Sequence, residues 1–223
     1  MEEFDSPWDR QILVKPIIPI NMSMTISKIN LTIEQDWAPV IQKFEHIKNL
    51  LKSYPTEKAK WIPGYNEFRY DFGQSGSFFF FDTITEHKKY AGVLSGLLLA
   101  NVLPWISQLQ TDLAELKLAS TAIQGSVGGL AKHRDGQDSI ETTKHCKINY
   151  IIDNYTDITY SEDTDGNISN YPSIKNTAWL IDTTEYHWVE HNTGPRYIFQ
   201  LTFHQSYKEV AEWFSIREPL IYK

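Results

Sequence analysis

The most regular stretches of the chain are HCKINYII at His145–Ile152 and RYIFQLTF at Arg196–Phe203. Both alternate polar and apolar side chains, which is the period of a β-strand with one buried face. The predicted apolar faces are Cys146, Ile148, Tyr150 and Ile152 on the first strand, and Tyr197, Phe199, Leu201 and Phe203 on the second. We expect both apolar faces to pack under helices and both polar faces to line the inside of a barrel.

The rest of the chain after residue 120 has the same β-rich character. β-branched and aromatic runs at Thr177–Ile181 and Tyr186–Val189 are bounded by Gly, Asn and Asp, which predicts further strands of an antiparallel sheet structure. Residues Asp153–Pro172 are hydrophilic throughout, and we predict one long loop there. A short helix is predicted at Lys208–Phe214.

The first half of the chain is predicted to supply helices and aromatic strands. From Trp37 to Tyr54 apolar residues recur every three or four positions, which indicates an amphipathic helix. A second helix, interrupted near Pro104, is predicted at Lys89–Leu116. Two short aromatic segments flanked by glycines, Asn66–Phe72 and Ser77–Ile84, are typical of a strand pair.

Together these elements predict a mainly β fold with flanking helices. The expected architecture is a double-stranded β-helix, or jelly roll, buttressed by N-terminal helices. The predicted domain organisation is an extended arm at 1–30 and a single domain at 31–223, divided into helical and aromatic support (31–120), a β-helix core (about 121–205) and a short C-terminal helix (206–223).

Composition excludes several classes of protein. The 223 residues carry 21 Lys and Arg against 28 Asp and Glu, a net charge of −7, which argues against a nucleic-acid partner. The single cysteine, Cys146, cannot form an internal disulfide or a thiolate zinc site. Met1–Arg10 lacks the pattern of a secretory signal, and the apolar segment Ala91–Ile106 is too short to cross a bilayer comfortably. We therefore expect a cytoplasmic protein with no membrane partner.

Four residues are candidates for a metal centre and its cosubstrate. In an extended segment His133 and Asp135 point to the same side, so this imidazole and this carboxylate can share one metal ion. His187 is the third candidate ligand, because two histidines and one carboxylate on one face of an octahedron leave the open positions that oxygen and a cosubstrate need. Arg196 follows at close spacing, and its guanidinium can hold a carboxylate through two hydrogen bonds.

In order, these motifs are H-x-D at His133, a distal H-x-V-x-x-N at His187, and a nearby arginine. The stretch Gly125–Phe203 thereby resembles the iron- and 2-oxoglutarate-dependent dioxygenases, closest to their aspartyl/asparaginyl (or prolyl) β-hydroxylase-like branch. The resemblance implies Fe(II) on His133, Asp135 and His187, with Arg196 on the distal carboxylate of 2-oxoglutarate. It also implies O2 as co-reactant, hydroxylation of an amino acid, a peptide residue or an amino-acid-like small molecule, and release of succinate and CO2.

The second 2-oxoglutarate contact is less defined by the sequence. The family's Arg-x-His pair after the iron motif is replaced here by Thr143-Lys144-His145. Because His145, Lys147 and Asn149 fall on the polar face of their predicted strand, His145 is the preferred contact and Lys147 or Asn149 the next. The structural alternative, a hydrogen-bonded strand histidine, remains open for His145.

Two other functions compete with the oxygenase. Residues 187–191, His-Trp-Val-Glu-His, match the H-x-x-E-H motif of inverted zinc metallopeptidases, which requires both histidines one turn apart on a helix. The Asn192-Thr193-Gly194-Pro195 turn that follows favours a strand instead. A jelly-roll binding protein without catalysis is the second alternative. The oligomeric state is not determined by any of these patterns.

Overall fold

The computed structural model describes residues 24–42, 45, 78–83, 103–127, 129–135, 145–190 and 195–223. Residues 37–42 are helical. The other regular elements of these ranges are β1 (Ile26–Ile29), β2 (Leu31–Ile33), β3 (Phe78–Thr83), α1 (Ile106–Asp112), a 3-10 turn (Ala114–Leu116), β4 (Leu118–Val127), β5 (Leu130–His133), β6 (Cys146–Ile151), β7 (Ile158–Glu162), β8 (Ile168–Pro172), β9 (Ala178–Asp182), β10 (Tyr186–Val189), β11 (Pro195–Phe203), α2 (Tyr207–Ser215) and β12 (Leu220–Tyr222).

Within the described residues, the strands form two large antiparallel sheets and one small parallel pair. The larger sheet has the order β1-β9-β6-β11-β4-β3, the smaller has the order β5-β10-β7-β8, and β12 pairs with β2. From β4 to β11 the chain passes back and forth between the large sheets, so that β4, β11, β6 and β9 face β5, β10, β7 and β8. This strand order is that of a double-stranded β-helix, and the predicted fold is confirmed.

The main hydrophobic core lies on the helix-covered face of the larger sheet. The predicted apolar faces of β6 and β11 belong to this core, together with α1 and residues 37–40. The ring of Phe199 lies 6.0 Å from that of Trp37 and 5.5 Å from that of Trp105. Because alternate residues point to opposite faces, this packing turns Asn149, Arg196 and their neighbours into the barrel, as predicted.

The helical support is described only in part. The predicted helix Trp37–Tyr54 is helical at 37–42 and at 45, and the predicted helix Lys89–Leu116 becomes α1 and the 3-10 turn after a turn at Pro104. Strand β3 confirms the predicted strand Ser77–Ile84 and pairs with β4. The predicted partner strand Asn66–Phe72, the remaining helical positions and residues 1–23 lie outside the described residues.

Two edge strands were not expected. Ile26–Ile29, at the end of the predicted arm, forms β1 and pairs with β9 in the larger sheet. Strand β12 pairs in parallel with β2. The predicted C-terminal helix Lys208–Phe214 is α2, which extends one residue further at each end and begins with a capping box between Ser206 and Glu209. No helix among the described residues is long and apolar enough to cross a bilayer.

The prediction of one long loop at Asp153–Pro172 is wrong. This segment contains β7 and β8, which pair as an antiparallel hairpin. Its strands look hydrophilic because their inner residues, such as Thr159 and Ser161, line a polar barrel, while the opposite face carries residues such as Tyr160 and Glu162. At the turn, Asp163 Oδ1 accepts hydrogen bonds from the backbone N–H groups of Asp165 and Asn167.

Candidate metal centre

The smaller sheet brings the three candidate metal ligands together. His133, at the end of β5, is the cross-strand neighbour of His187 in β10. Asp135 follows two residues later, and its backbone N–H donates to the carbonyl of Thr183 in the turn between β9 and β10. This hydrogen bond holds the residues after β5 beside β10, so the carboxylate lies next to both imidazoles.

The ligand atoms of these three residues converge. Asp135 Oδ1 lies 3.5 Å from His133 Nε2 and 3.9 Å from His187 Nε2. The Nδ1 atom of His133 lies 2.8 Å from the Ala131 carbonyl, and that of His187 lies 3.1 Å from the Glu185 carbonyl. Because a carbonyl only accepts, Nδ1 carries the proton in both rings and Nε2 is left as the metal donor. One ligand atom from each residue lies within 4.8 Å of the others, as one shared ion requires.

Neighbouring charges and burial shift the pKa values of the three candidate ligands. Burial raises the pKa of Asp135, but Lys147, His133 and His187 outweigh it, so the pKa lies far below the usual range. Burial lowers the pKa of His187 to about 4 against the opposing effect of the Asp135 carboxylate, with smaller contributions from Lys147 and His133. The hydrogen bond with Asp135 raises the pKa of His133 despite burial. At neutral pH the centre therefore offers an ionised carboxylate and a neutral His187.

Arg196 is buried inside the barrel beside an acidic partner. Its Nε lies 2.7 Å from Oδ2 of Asp157, and its Nη2 donates to Thr159 Oγ1 at 3.3 Å. Ser161, two residues further along β7, is the cross-strand neighbour of His187. Two strand residues span about 7 Å, so the guanidinium, which contacts Thr159, lies about this distance deeper in the barrel than the metal ligands.

The three candidates for the second cosubstrate contact lie in different places. The backbone N–H of His145 donates to the carbonyl of Phe203, at the opposite end of β11 from Arg196. Hydrogen bonds with Ser206 mainly lower the pKa of Glu209, and the His145 imidazole lowers it further. Lys147 forms an ion pair with Oδ2 of Asp135. Asn149 lies inside the barrel, where it donates to Tyr171 and accepts from Gln200.

Several residues of the site have no counterpart in the sequence predictions. Asp157, Thr159 and Tyr171 surround the barrel interior, and Ser161 Oγ is buried there without a hydrogen-bond partner among the described residues. The available signal was the alternation through residues 157–161, since the inward residues Asp157, Thr159 and Ser161 all have short polar side chains. Nothing in the sequence singles out the ion pair of Asp157 with Arg196, because the two residues are distant along the chain.

The metallopeptidase interpretation of residues 187–191 does not fit the structure. That motif needs a helix, whereas Tyr186–Val189 is strand β10 and pairs on both sides, with β5 and β7. Successive side chains of a strand point to opposite faces, so His187 faces the barrel and Trp188 faces outward. The peptidase alternative is therefore wrong.

Comparison with known proteins found similarities at the level of structure. No protein-family model matches the chain, and no curated protein does. A Pseudomonas putida prolyl-4-hydroxylase is similar with a TM-score of 0.47 and 10% identity, over 82% of this chain and 94% of that chain. The α-ketoglutarate-dependent epimerase SnoN of nogalamycin biosynthesis is similar with a TM-score of 0.47 and 11% identity, over 82% and 80%. A Trichoplax adhaerens prolyl hydroxylase has a TM-score of 0.37 and 13% identity, over 80% and 97%.

Proposed function

We propose that the chain is an Fe(II)- and 2-oxoglutarate-dependent oxygenase of the aspartyl/asparaginyl or prolyl hydroxylase-like type. Its substrate would be an amino acid, a peptide residue or an amino-acid-like small molecule. One oxygen atom of O2 would enter the hydroxyl group of the product and the other the succinate formed when 2-oxoglutarate loses CO2. The observation that carries the proposal is the convergence of His133 Nε2, His187 Nε2 and Asp135 Oδ1 in a barrel that also buries Arg196.

The donor set fits Fe(II). Two imidazoles and one carboxylate on one side of an ion form the facial triad of non-haem iron oxygenases, which leaves positions open for other ligands. When bound there, iron supplies the redox chemistry that couples loss of CO2 from 2-oxoglutarate to oxidation of a C–H bond. His133, Asp135 and His187 would hold the ion, and the carbonyls of Ala131 and Glu185 fix the orientation of the two imidazoles.

The barrel interior fits a dicarboxylate. Asp157 forms an ion pair on the Nε side of Arg196, and Nη2 donates one hydrogen bond to Thr159, so Nη1 and the second Nη2 hydrogen point to other partners, such as a carboxylate. Ser161 Oγ, buried between Arg196 and the metal ligands, is a free donor for the same molecule. The charges of Lys147 and Arg196 cancel those of Asp135 and Asp157, so a divalent ion would leave a net charge that 2-oxoglutarate balances.

The test begins with anaerobic addition of Fe(II) and 2-oxoglutarate to the purified protein. We expect the weak visible charge-transfer absorption of an iron–oxoacid chelate, and its loss in His187→Ala. His204→Ala is the matched control, since this exposed histidine lies outside the ligand group. Absence of the band from wild-type protein that has bound iron would contradict the proposal.

The substrate can then be found by turnover. We expect one class of amino acids or peptides to stimulate succinate release above the level without substrate. Hydroxylated product in equal amount to succinate would identify the substrate and the atom oxidised. Iron-dependent succinate release that no amino acid or peptide stimulates would contradict the substrate class.

A further inference from the structure

The two oxygens of Asp135 have different partners. Oδ1 faces both imidazole Nε2 atoms, at 3.5 and 3.9 Å, and Oδ2 forms an ion pair with the ammonium group of Lys147. The carboxylate thus turns one oxygen to the metal position and the other to a cation of the protein itself. The Asp135 side chain is only 18% exposed, so water does little to screen this arrangement.

Lys147 is well placed to keep this contact. It lies on β6 in the interior of the larger sheet, and its cross-strand neighbours are Thr202 in β11 and Ile181 in β9. Its backbone is therefore fixed on both sides. Its side chain, 19% exposed, has the inward direction of Asn149 and reaches across the barrel to Asp135, two residues beyond the end of β5.

We propose that Lys147 is a positioning residue that makes Asp135 a one-oxygen ligand. This inference rests on the proposed function and concerns the same site. A carboxylate can bind a metal ion through one oxygen or through both. Binding through both would place Oδ2 between Lys147 and the metal, and would bring the ammonium group close to a divalent cation of like charge.

The consequence is an extra open position at the metal. Two imidazoles and one carboxylate oxygen leave three positions of an octahedral ion, which suffice for a two-point oxoacid and for O2. A carboxylate bound through both oxygens would fill one of them. Lys147 therefore supports cosubstrate binding through Asp135, without contact to the reacting atoms.

The experiment counts the water molecules on Mn(II) bound to the full-length protein. Broadening of the Mn(II) electron paramagnetic resonance signal by 17O-labelled water reports this number without turnover. We expect Lys147→Met to bind Mn(II) at least as tightly as wild type, with one water molecule fewer on the ion. Lys147→Arg, which keeps a charged donor for Oδ2, should restore the wild-type number.

A control and a second readout make the test decisive. Lys175→Met removes an exposed lysine far along the chain and should change nothing. If Lys147→Met does not fold, as judged by its melting temperature, Lys147→Gln replaces it. An unchanged water count in the folded variant, or loss of Mn(II) binding from it, would overturn the proposal.

Cosubstrate affinity separates this inference from the proposed function. In the Mn(II)-loaded protein we expect Lys147→Met to weaken 2-oxoglutarate binding by about tenfold or more. The second oxygen of Asp135 would then fill one of the metal positions that 2-oxoglutarate needs. If wild-type protein binds Mn(II) but not 2-oxoglutarate, the proposed function fails. The water count of Lys147→Met still tests the role of Lys147 in that case.

Discussion

Asp157 and Arg196 form an ion pair that is almost fully removed from water, with 2% and 4% of their surfaces exposed. Removing one partner of such a pair leaves an uncompensated buried charge, which typically costs about 3–5 kcal/mol. We expect Asp157→Ala to lower the free energy of unfolding by this amount in urea titrations. Asp157→Asn, which keeps an acceptor for Ser173, should cost less. Wild-type stability of Asp157→Ala would show that Arg196 needs no counter-charge.

Arg196 also separates cosubstrate binding from metal binding. Lysine cannot reproduce its contacts to both Asp157 and Thr159, nor a two-pronged grip on a carboxylate. We expect Arg196→Lys to retain the metal but to lose about 1.5–3 kcal/mol of 2-oxoglutarate binding, a roughly tenfold to hundredfold rise in Kd. Calorimetric titration of the Mn(II)-loaded variant measures this. Unchanged affinity would remove Arg196 from the cosubstrate site.

At the scale of one element, the hairpin of β7 and β8 depends on its turn. Gly166 has a φ of 83°, and a Cβ there would meet nothing within 4 Å, so a substitution would act through the backbone alone. We expect Gly166→Ala to destabilise the protein by about 1 kcal/mol, because alanine disfavours this left-handed conformation. Gly166→Asn is the matched control, since asparagine tolerates it better. Equal melting temperatures for glycine and alanine would contradict this account.

The elements also show what sequence can and cannot predict. Strands β6 and β11 were predictable, because the helix-facing side of each is wholly apolar. Ile148 in β6 and Phe199 in β11 each belong to a series of apolar residues at every second position. Strands β7 and β8 were not predictable, because inward residues such as Thr159 and Ser161 contact a polar interior. The segment therefore has the hydrophilic composition of a loop. The same holds within the site. His133 and Asp135 are close in sequence and carry a motif, whereas the contact of Lys147 with Asp135 depends on how two sheets face each other.

At the scale of the whole molecule, metal binding should stabilise the fold. The ligands come from β5, the residue two positions beyond it and β10, so the unfolded chain cannot present them together. A ligand that binds only the folded state adds about 2.7 kcal/mol at a concentration of 100 Kd. We expect Mn(II) to raise the melting temperature of wild-type protein and a chelator to reverse this. A similar rise in Asp135→Ala would point to a different metal site.

Strand β11 lies between β4 and β6 in the larger sheet, although it is the last long strand of the described chain. During synthesis on the ribosome, the pairs β3–β4 and β6–β9 therefore cannot join until residue 203 has left the exit tunnel. Unpaired strand edges with an apolar face invite association with other chains. The nascent polypeptide should accordingly depend on chaperones until β11 emerges, after which the barrel closes in one late step.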